Sequence, residues 1–282
     1  MKTVKLSNGI EMPILGFGVF QIPAERCERC VSEAIETGYR LFDTAASYLN
    51  ECEVGKAIKN SGVKREDIFL TTKLWLQDFG YERAKEAFQR SLERLQTDYI
   101  DLYLLHKPLG DYYGAWRALE ELYEKRAVHA IGVCNFYPDR LVDLTCNARI
   151  TPMVNQMETH VFWQHNGYQK LMQQKGVQLE SWGAFVEGRN GFFQNEVLLA
   201  IANNHHVSVA QVALRWLIQR SIVCIPKTIH KERMAQNMDV FTFQLSNEEM
   251  ETIKTLDLNK SMFYSHHDPE KVEWLNGLHY DI

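Results

Sequence analysis

The 282-residue chain lacks a surplus of positive charge, a long apolar run, a cysteine framework and a complete phosphate-binding loop. Lysine and arginine number 31 against 36 aspartates and glutamates, a formal net charge of -5. That balance argues against nucleic acid or an anionic membrane surface as a partner, since both favour a basic patch or tail. No stretch of roughly 18 uninterrupted apolar residues occurs, so no membrane-spanning helix is expected. The opening MKTVKLSNGIEMP has no apolar core of the kind a secretory leader needs, and the expected compartment is the cytoplasm. The seven prolines and sixteen glycines gather into no linker or low-complexity run, so one domain over residues 1–282 is expected.

Further absences narrow the chemistry. Cys27, Cys30, Cys52, Cys134, Cys146 and Cys224 show no framework spacing and are expected to be reduced and mostly buried. Cys27 and Cys30 form a C-x-x-C inside a predicted helix without a second pair, which suits helix-face cysteines better than zinc or redox chemistry. There is no Walker A loop, H-E-x-x-H or G-x-S-x-G. Gly16-Phe17-Gly18 begins a dinucleotide fingerprint, but Gln21 stands where its third glycine belongs, which disfavours a doubly wound sheet. His160 and His165 are metal-ligand candidates in number only, and no metal is expected. His205-His206 and His266-His267 read as solvated pairs.

What is present is alternation. Asn8-Gly9 is a strong two-residue turn signal and predicts an N-terminal hairpin. Eight strand-like runs follow, at 14–20, 39–45, 67–75, 99–106, 128–136, 152–160, 177–185 and 221–228, each succeeded by helix-period segments. Parallel strands joined by helices are βαβ units, and eight of them close a barrel. The expected fold is α/β, a TIM-type (β/α)8 barrel with an N-terminal β-hairpin, extra C-terminal helices and an irregular tail.

Barrels of this kind carry function at the C-terminal ends of their strands. There the sequence places Asp43, Tyr48 on the loop beyond it, Lys73 and His106. A buried lysine needs an anionic neighbour, and Asp43 is the natural one. A cation beside a phenol lowers its pKa below the usual value of about 10, making Tyr48 a general acid. His106 can donate a hydrogen bond to an oxygen that becomes negative. Phe20 and Trp75 are expected on the substrate-pocket wall.

FDTAASYLNE (42–51), TTKLW (71–75), LLHKP (104–108), AIGVCNF (130–136), VNQME (154–158) and IPKT followed by Arg233 and Asn237 resemble, in order and over nearly the whole chain, the aldo-keto reductase family. The likeness is to bacterial-type members related to prostaglandin F synthase and 2,5-diketo-D-gluconate reductase. It implies the same barrel, NADPH as cofactor, a catalytic tetrad of Asp43, Tyr48, Lys73 and His106, and reduction of aldehydes or ketones with the proton given by Tyr48. It further implies that Asn135 and Gln156 hold the nicotinamide carboxamide and that Trp182 stacks on the ring. Gly183 and Phe185 would meet the pyrophosphate, Lys227, Thr228 and Arg233 the adenosine 2′-phosphate, and Gln236 and Asn237 the adenine. Cys134 stands where the family usually has a serine, and Gln236 where it often has a glutamate. The short loop after the fourth strand and the short tail imply an open pocket that accepts small aldehydes, ketoaldehydes or sugar-like ketones as small-molecule partners. Family members of this type are often monomers, so the resemblance implies a monomer. An NADPH-binding sensor or subunit with little turnover is the alternative reading.

Overall fold

A computed structural model describes residues 2–282. β1 (Thr3–Lys5) and β2 (Glu11–Pro13) form the expected antiparallel hairpin. Asn8 shapes its turn by accepting from Ile10 N, and donates to His129 O at 2.9 Å. His129 lies at the start of a barrel strand, so the hairpin sits at the end of the barrel remote from the strand C-termini.

Eight parallel strands follow: β3 (Phe17–Gly18), β4 (Leu41–Asp43), β5 (Phe69–Leu74), β6 (Ile100–Leu105), β7 (Val128–Cys134), β8 (Val154–Glu158), β9 (Gln178–Trp182) and β10 (Val223–Cys224). Each pairs with the next in sequence, and the ring closes where Leu15 bridges Cys224. Gly16 N donates to Cys224 O at 2.8 Å, Cys224 N to Ile14 O at 3.0 Å, and Gly18 N to Pro226 O at 3.2 Å. A Cβ on Gly18 would stand 2.7 Å from Ile225 O. The Gly-x-Gly that starts a failed dinucleotide motif therefore serves close backbone approach at the barrel seam. The first and last barrel strands are shorter than their apolar runs because Pro226 and the irregular seam interrupt the ladder.

The helices are α1 (Ala24–Thr37), α2 (Glu51–Asn60), α3 (Tyr81–Leu95), α4 (Tyr112–Glu124), α5 (Pro138–Asn147), α6 (Asn166–Gln174), α7 (Glu196–His205), α8 (Val209–Gln219), α9 (Lys231–Met238), α10 (Asn247–Lys254) and α11 (Pro269–Asn276). In α1, Cys27, Cys30, Val31, Ala34 and Ile35 are buried, a single helical stripe against the barrel. Both cysteines are free thiols on that stripe. Gly38 ends the helix in the left-handed region at φ 111°, its N–H meeting Ala34 O and Ile35 O. Among the described residues, no single helix is long and apolar enough to cross a membrane.

The tail corrects one expectation. It is not irregular throughout, because Asp268 caps α11 by accepting from Glu270 N and Pro269 occupies its first turn. It also covers part of the barrel mouth. Ser261 Oγ and Met262 N donate to the buried Glu158 carboxylate at 2.6 and 2.7 Å. Farther on, Trp75 Nε1 donates to Leu278 O at 3.1 Å, and Gln77 and Tyr280 exchange two hydrogen bonds. These contacts lay residues 261–280 across one side of the mouth.

Candidate active site

A cavity of about 1030 Å³ opens at the C-terminal ends of the strands. Asp43 ends β4, and a turn of 3₁₀ helix (Ala46–Tyr48) carries Tyr48 beyond it. Lys73 projects from β5, whose six residues are all buried, and the lysine itself is fully buried. Lys73 Nζ donates to Asp43 Oδ1 at 2.6 Å, to Thr44 O at 2.9 Å and to Tyr48 Oη at 3.3 Å. All three ammonium protons thus have acceptors. Burial disfavours the lysine's charge, but the charge and hydrogen bond of Asp43, with Tyr48 and Cys134, together outweigh it and its pKa is raised.

The phenol departs from the sequence-based expectation. Burial is the larger influence on Tyr48 and exceeds the opposing pull of Lys73, so its pKa lies above the ordinary tyrosine value rather than below it. The hydroxyl is therefore protonated at neutral pH, the form a proton donor needs. His106 lies past the end of β6, its ring 5.6 Å from that of Tyr48 and 5.1 Å from that of Trp75. Burial first, then the ammonium groups of Lys107 and Lys73 and the ring of His266, hold its pKa far below the histidine norm. A neutral imidazole results, with Ser47 Oγ 3.4 Å from Nδ1.

Behind this group lies a second carboxyl. Gln156 Nε2 spans Asp43 Oδ2 at 2.9 Å and Glu180 Oε2 at 3.0 Å, while Glu180 Oε1 has no partner. Burial, reinforced by the charge on Asp43, pushes Glu180 up to about 8. The acid is neutral at pH 7, so Gln is its close isostere. With the pKa raised on folding, the folded chain binds the extra proton between pH 4.5 and 8. Glu180 consequently costs the fold nothing below the unfolded pKa, and its penalty grows as pH rises through that window. Glu180→Gln should remove this slope, gaining stability over the wild type at pH 8 but not at pH 4.5. Denaturant unfolding at both pH values tests this, and an equal effect at both would refute it.

The two carboxamides at the cavity wall are complementary. Gln156 has both amide protons engaged by carboxyl oxygens, and its Oε1 meets only the Cys134 thiol, at 4.0 Å. Asn135 accepts from Trp182 Nε1 at 2.9 Å through Oδ1, and its Nδ2 makes only a long 3.4 Å contact with His106 O. Gln156 therefore offers an acceptor and Asn135 a donor, the pair a primary carboxamide would use. Asn135 holds φ 61°, a left-handed conformation that asparagine tolerates. Cys134 is buried behind this wall and does not line the cavity.

Of the residues singled out from sequence, Phe20, Asp43, Tyr48, Trp75, His106, Asn135, Gln156, Trp182, Gly183, Phe185, Lys227, Thr228, Arg233, Gln236 and Asn237 line the one cavity. Lys73 and Cys134 sit just behind it. Phe20 is half-exposed and tilts over Tyr48 at 4.9 Å. Lys227 and Arg233 are exposed and, among the described residues, have no carboxylate partner, whereas nearby Lys231 is paired with Glu36. They flank Thr228 just before and within the first turn of α9, where backbone N–H groups and the helix dipole favour an anion.

Sequence reasoning missed Ser47, Lys107, Phe263, Tyr264, Leu278 and Tyr280, which also line the cavity. Four belong to the tail, and no local pattern marks a tail residue as pocket wall. Lys107 had a signal, since it directly follows His106. His266, read as solvated, is buried at 7% exposure against Tyr137 and Tyr264. His160 and His165 bond to Glu158, through its side chain and its carbonyl respectively.

Fold and cavity together define a barrel oxidoreductase. The chain belongs to the aldo/keto reductase family, whose model matches residues 15–258. It is 48% identical over 257 residues to glyoxal reductase of Bacillus subtilis (strain 168), covering 90% of this chain and 92% of that protein. It is 40% identical over 262 residues to methylglyoxal reductase DkgA of Escherichia coli (strain K12), covering 92% and 94%. Among solved structures it resembles MGS-M4, an aldo-keto reductase from a Medee basin deep-sea metagenome library, with a TM-score of 0.91 and 45% identity over 94% of this chain and 99% of that one.

Proposed function

We propose that this single-domain enzyme reduces small aldehydes and ketones with NADPH, and that Tyr48 gives the proton. The observation that carries this reading is the Tyr48 hydroxyl 3.3 Å from a lysine that is itself locked onto Asp43. Giving up the proton leaves a phenolate beside a buried cation, which stabilises the charge where it develops. Neutral His106 orients the carbonyl oxygen by donating a hydrogen bond to it. Thr44 O and Asp43 keep Lys73 from drifting toward the substrate.

The cavity suits the cofactor at both ends. When bound, a reduced nicotinamide supplies the hydride. Asn135 and Gln156 would hold its carboxamide by the donor and acceptor they leave free, beside Trp182. Gly183 and Phe185 would border the pyrophosphate. Lys227, Thr228 and Arg233 would hold the 2′-phosphate, with Gln236 and Asn237 against the adenine. Small dicarbonyls named for the relatives, glyoxal and methylglyoxal, are the substrate class we infer.

Following NADPH absorbance against methylglyoxal, an aromatic aldehyde and a sugar-like ketone tests the activity. Tight NADPH binding without turnover of any of them would favour the binding-only reading. Cofactor choice gives a second test. Wild type should prefer NADPH to NADH, and Arg233→Ala should shrink that preference about 10- to 100-fold, the worth of a charge-assisted hydrogen bond. Equal use of the two cofactors by wild type would contradict the assignment of Lys227 and Arg233.

A further inference from the structure

Lys107 is a buried cation without an anion. It is 7% exposed, lines the cavity one residue beyond His106, and among the described residues has no carboxylate partner. Its Nζ donates to Tyr264 Oη at 2.9 Å and stands 3.4 Å from His266 Nε2. An ammonium has three protons, so one remains without an acceptor. Burial pulls its pKa down to about 8, which leaves it mostly charged at neutral pH. Burial and the same lysine hold His266 neutral, so its Nε2 can only accept from Lys107 if Nδ1 carries the proton. That Nδ1 is buried without a partner.

Lys73, the other buried lysine of this site, has Asp43 for its partner. A lone buried cation costs several kcal/mol unless a counter-charge joins it. Here the open side is a cavity wall shared with Tyr48, Trp75 and Tyr264. We propose that Lys107 is a specificity-determining residue whose ammonium, steadied by Tyr264 and His266, receives an anionic group of the substrate, a carboxylate or phosphate, while the carbonyl lies against Tyr48. Tyr264 and His266 belong to the tail, so the tail supplies half of this subsite. Lys107 then extends the small dicarbonyl class inferred above to carbonyl compounds that carry an anionic group, while neutral ones do not depend on it. This deepens the carbonyl-reductase reading and rests on it.

The test compares kcat/KM for a neutral aldehyde, methylglyoxal, with succinic semialdehyde as the carboxylate and glyceraldehyde 3-phosphate as the phosphate. Wild type is set beside Lys107→Met, which keeps the stem, and Lys107→Gln, which keeps a hydrogen bond to Tyr264 without the charge. Replacing an unpaired buried charge by a group of similar length should leave the fold intact, and methylglyoxal turnover reports that directly. Both variants should lose about 10- to 100-fold in kcat/KM on at least one anionic substrate, mainly through KM, the range expected for a charge-assisted hydrogen bond. Methylglyoxal should change less than about twofold. The substrate that loses more identifies which anion the subsite takes. Equal losses on charged and neutral substrates would make Lys107 a structural anchor of the tail and overturn the proposal. Unchanged values for both anions would overturn it too, while methylglyoxal turnover kept the reductase reading intact. A wild type that reduces none of the three would instead remove that reading, and the subsite with it.

Discussion

Tyr48→Phe should lower the turnover of a small aldehyde by about two to four orders of magnitude, the span that a positioned acid contributes. The substitution removes one oxygen and keeps the ring that packs 4.9 Å from Phe20 and 5.6 Å from His106. Lys73 loses its longest hydrogen bond, at 3.3 Å, and keeps Asp43 and Thr44 O. Fold and cofactor affinity should therefore survive. Steady-state kinetics together with fluorescence titration of NADPH separate the two effects. Near-normal turnover would remove Tyr48 from the proton-donor role. In the proposed role, the same phenol would set the direction of pH dependence. Burial keeps it protonated, so aldehyde reduction has its acid in place at neutral pH. Alcohol oxidation needs the phenolate and should climb as the solution becomes more alkaline.

Lys73→Met should cost both rate and stability. Asp43 would be left 2% exposed with its ammonium partner gone, and breaking one half of a buried ion pair typically costs about 3–5 kcal/mol. Gln156 would still donate to Oδ2, which moderates but does not replace the loss. The phenolate that forms when Tyr48 gives up its proton would also lack its cation, so kcat should fall about 100-fold or more. Adding Asp43→Asn to this variant should return much of the stability, because no unpaired carboxylate remains, and none of the activity. Denaturant unfolding of the single and double variants measures the first effect and turnover the second. A Lys73→Met protein as stable as wild type would show that the pair does not hold the site together.

The strand C-termini were readable because burial in a parallel barrel makes each strand an apolar run, against which Asp43, Lys73 and His106 stand out. Helix α3 spans the same fifteen residues that its amphipathic period suggests. The closure of the barrel was less visible. β3 and β10 contribute two residues each, and their joining depends on backbone groups and glycine spacing rather than on side-chain pattern. The sign of the shift on Tyr48 was misread from sequence because residue order gives neighbours but not the depth of burial, and depth wins here. The tail was misjudged for a related reason. Its anchors, Ser261 and Met262 on Glu158 and Tyr280 on Gln77, join residues some hundred to two hundred positions apart. The Asp268-Pro269 start of α11, by contrast, is a local signal that could have been used.

The seam between residues 14–18 and 223–226 also sets an order of assembly. A chain made from its N-terminus presents the Gly16 and Gly18 amides as an unpaired edge until Cys224 and Pro226 have been synthesised. Such an edge invites pairing with another chain, and contacts this distant in sequence form late. Lys227, Thr228 and Arg233 follow the closing strand directly. The ring is thus sealed by the same stretch of polypeptide that brings Lys227, Thr228 and Arg233 to the cavity wall. A nascent chain released before residue 224 would be an open sheet with half a mouth, vulnerable to aggregation, and a dinucleotide gripping the finished mouth would clamp the last joint to form.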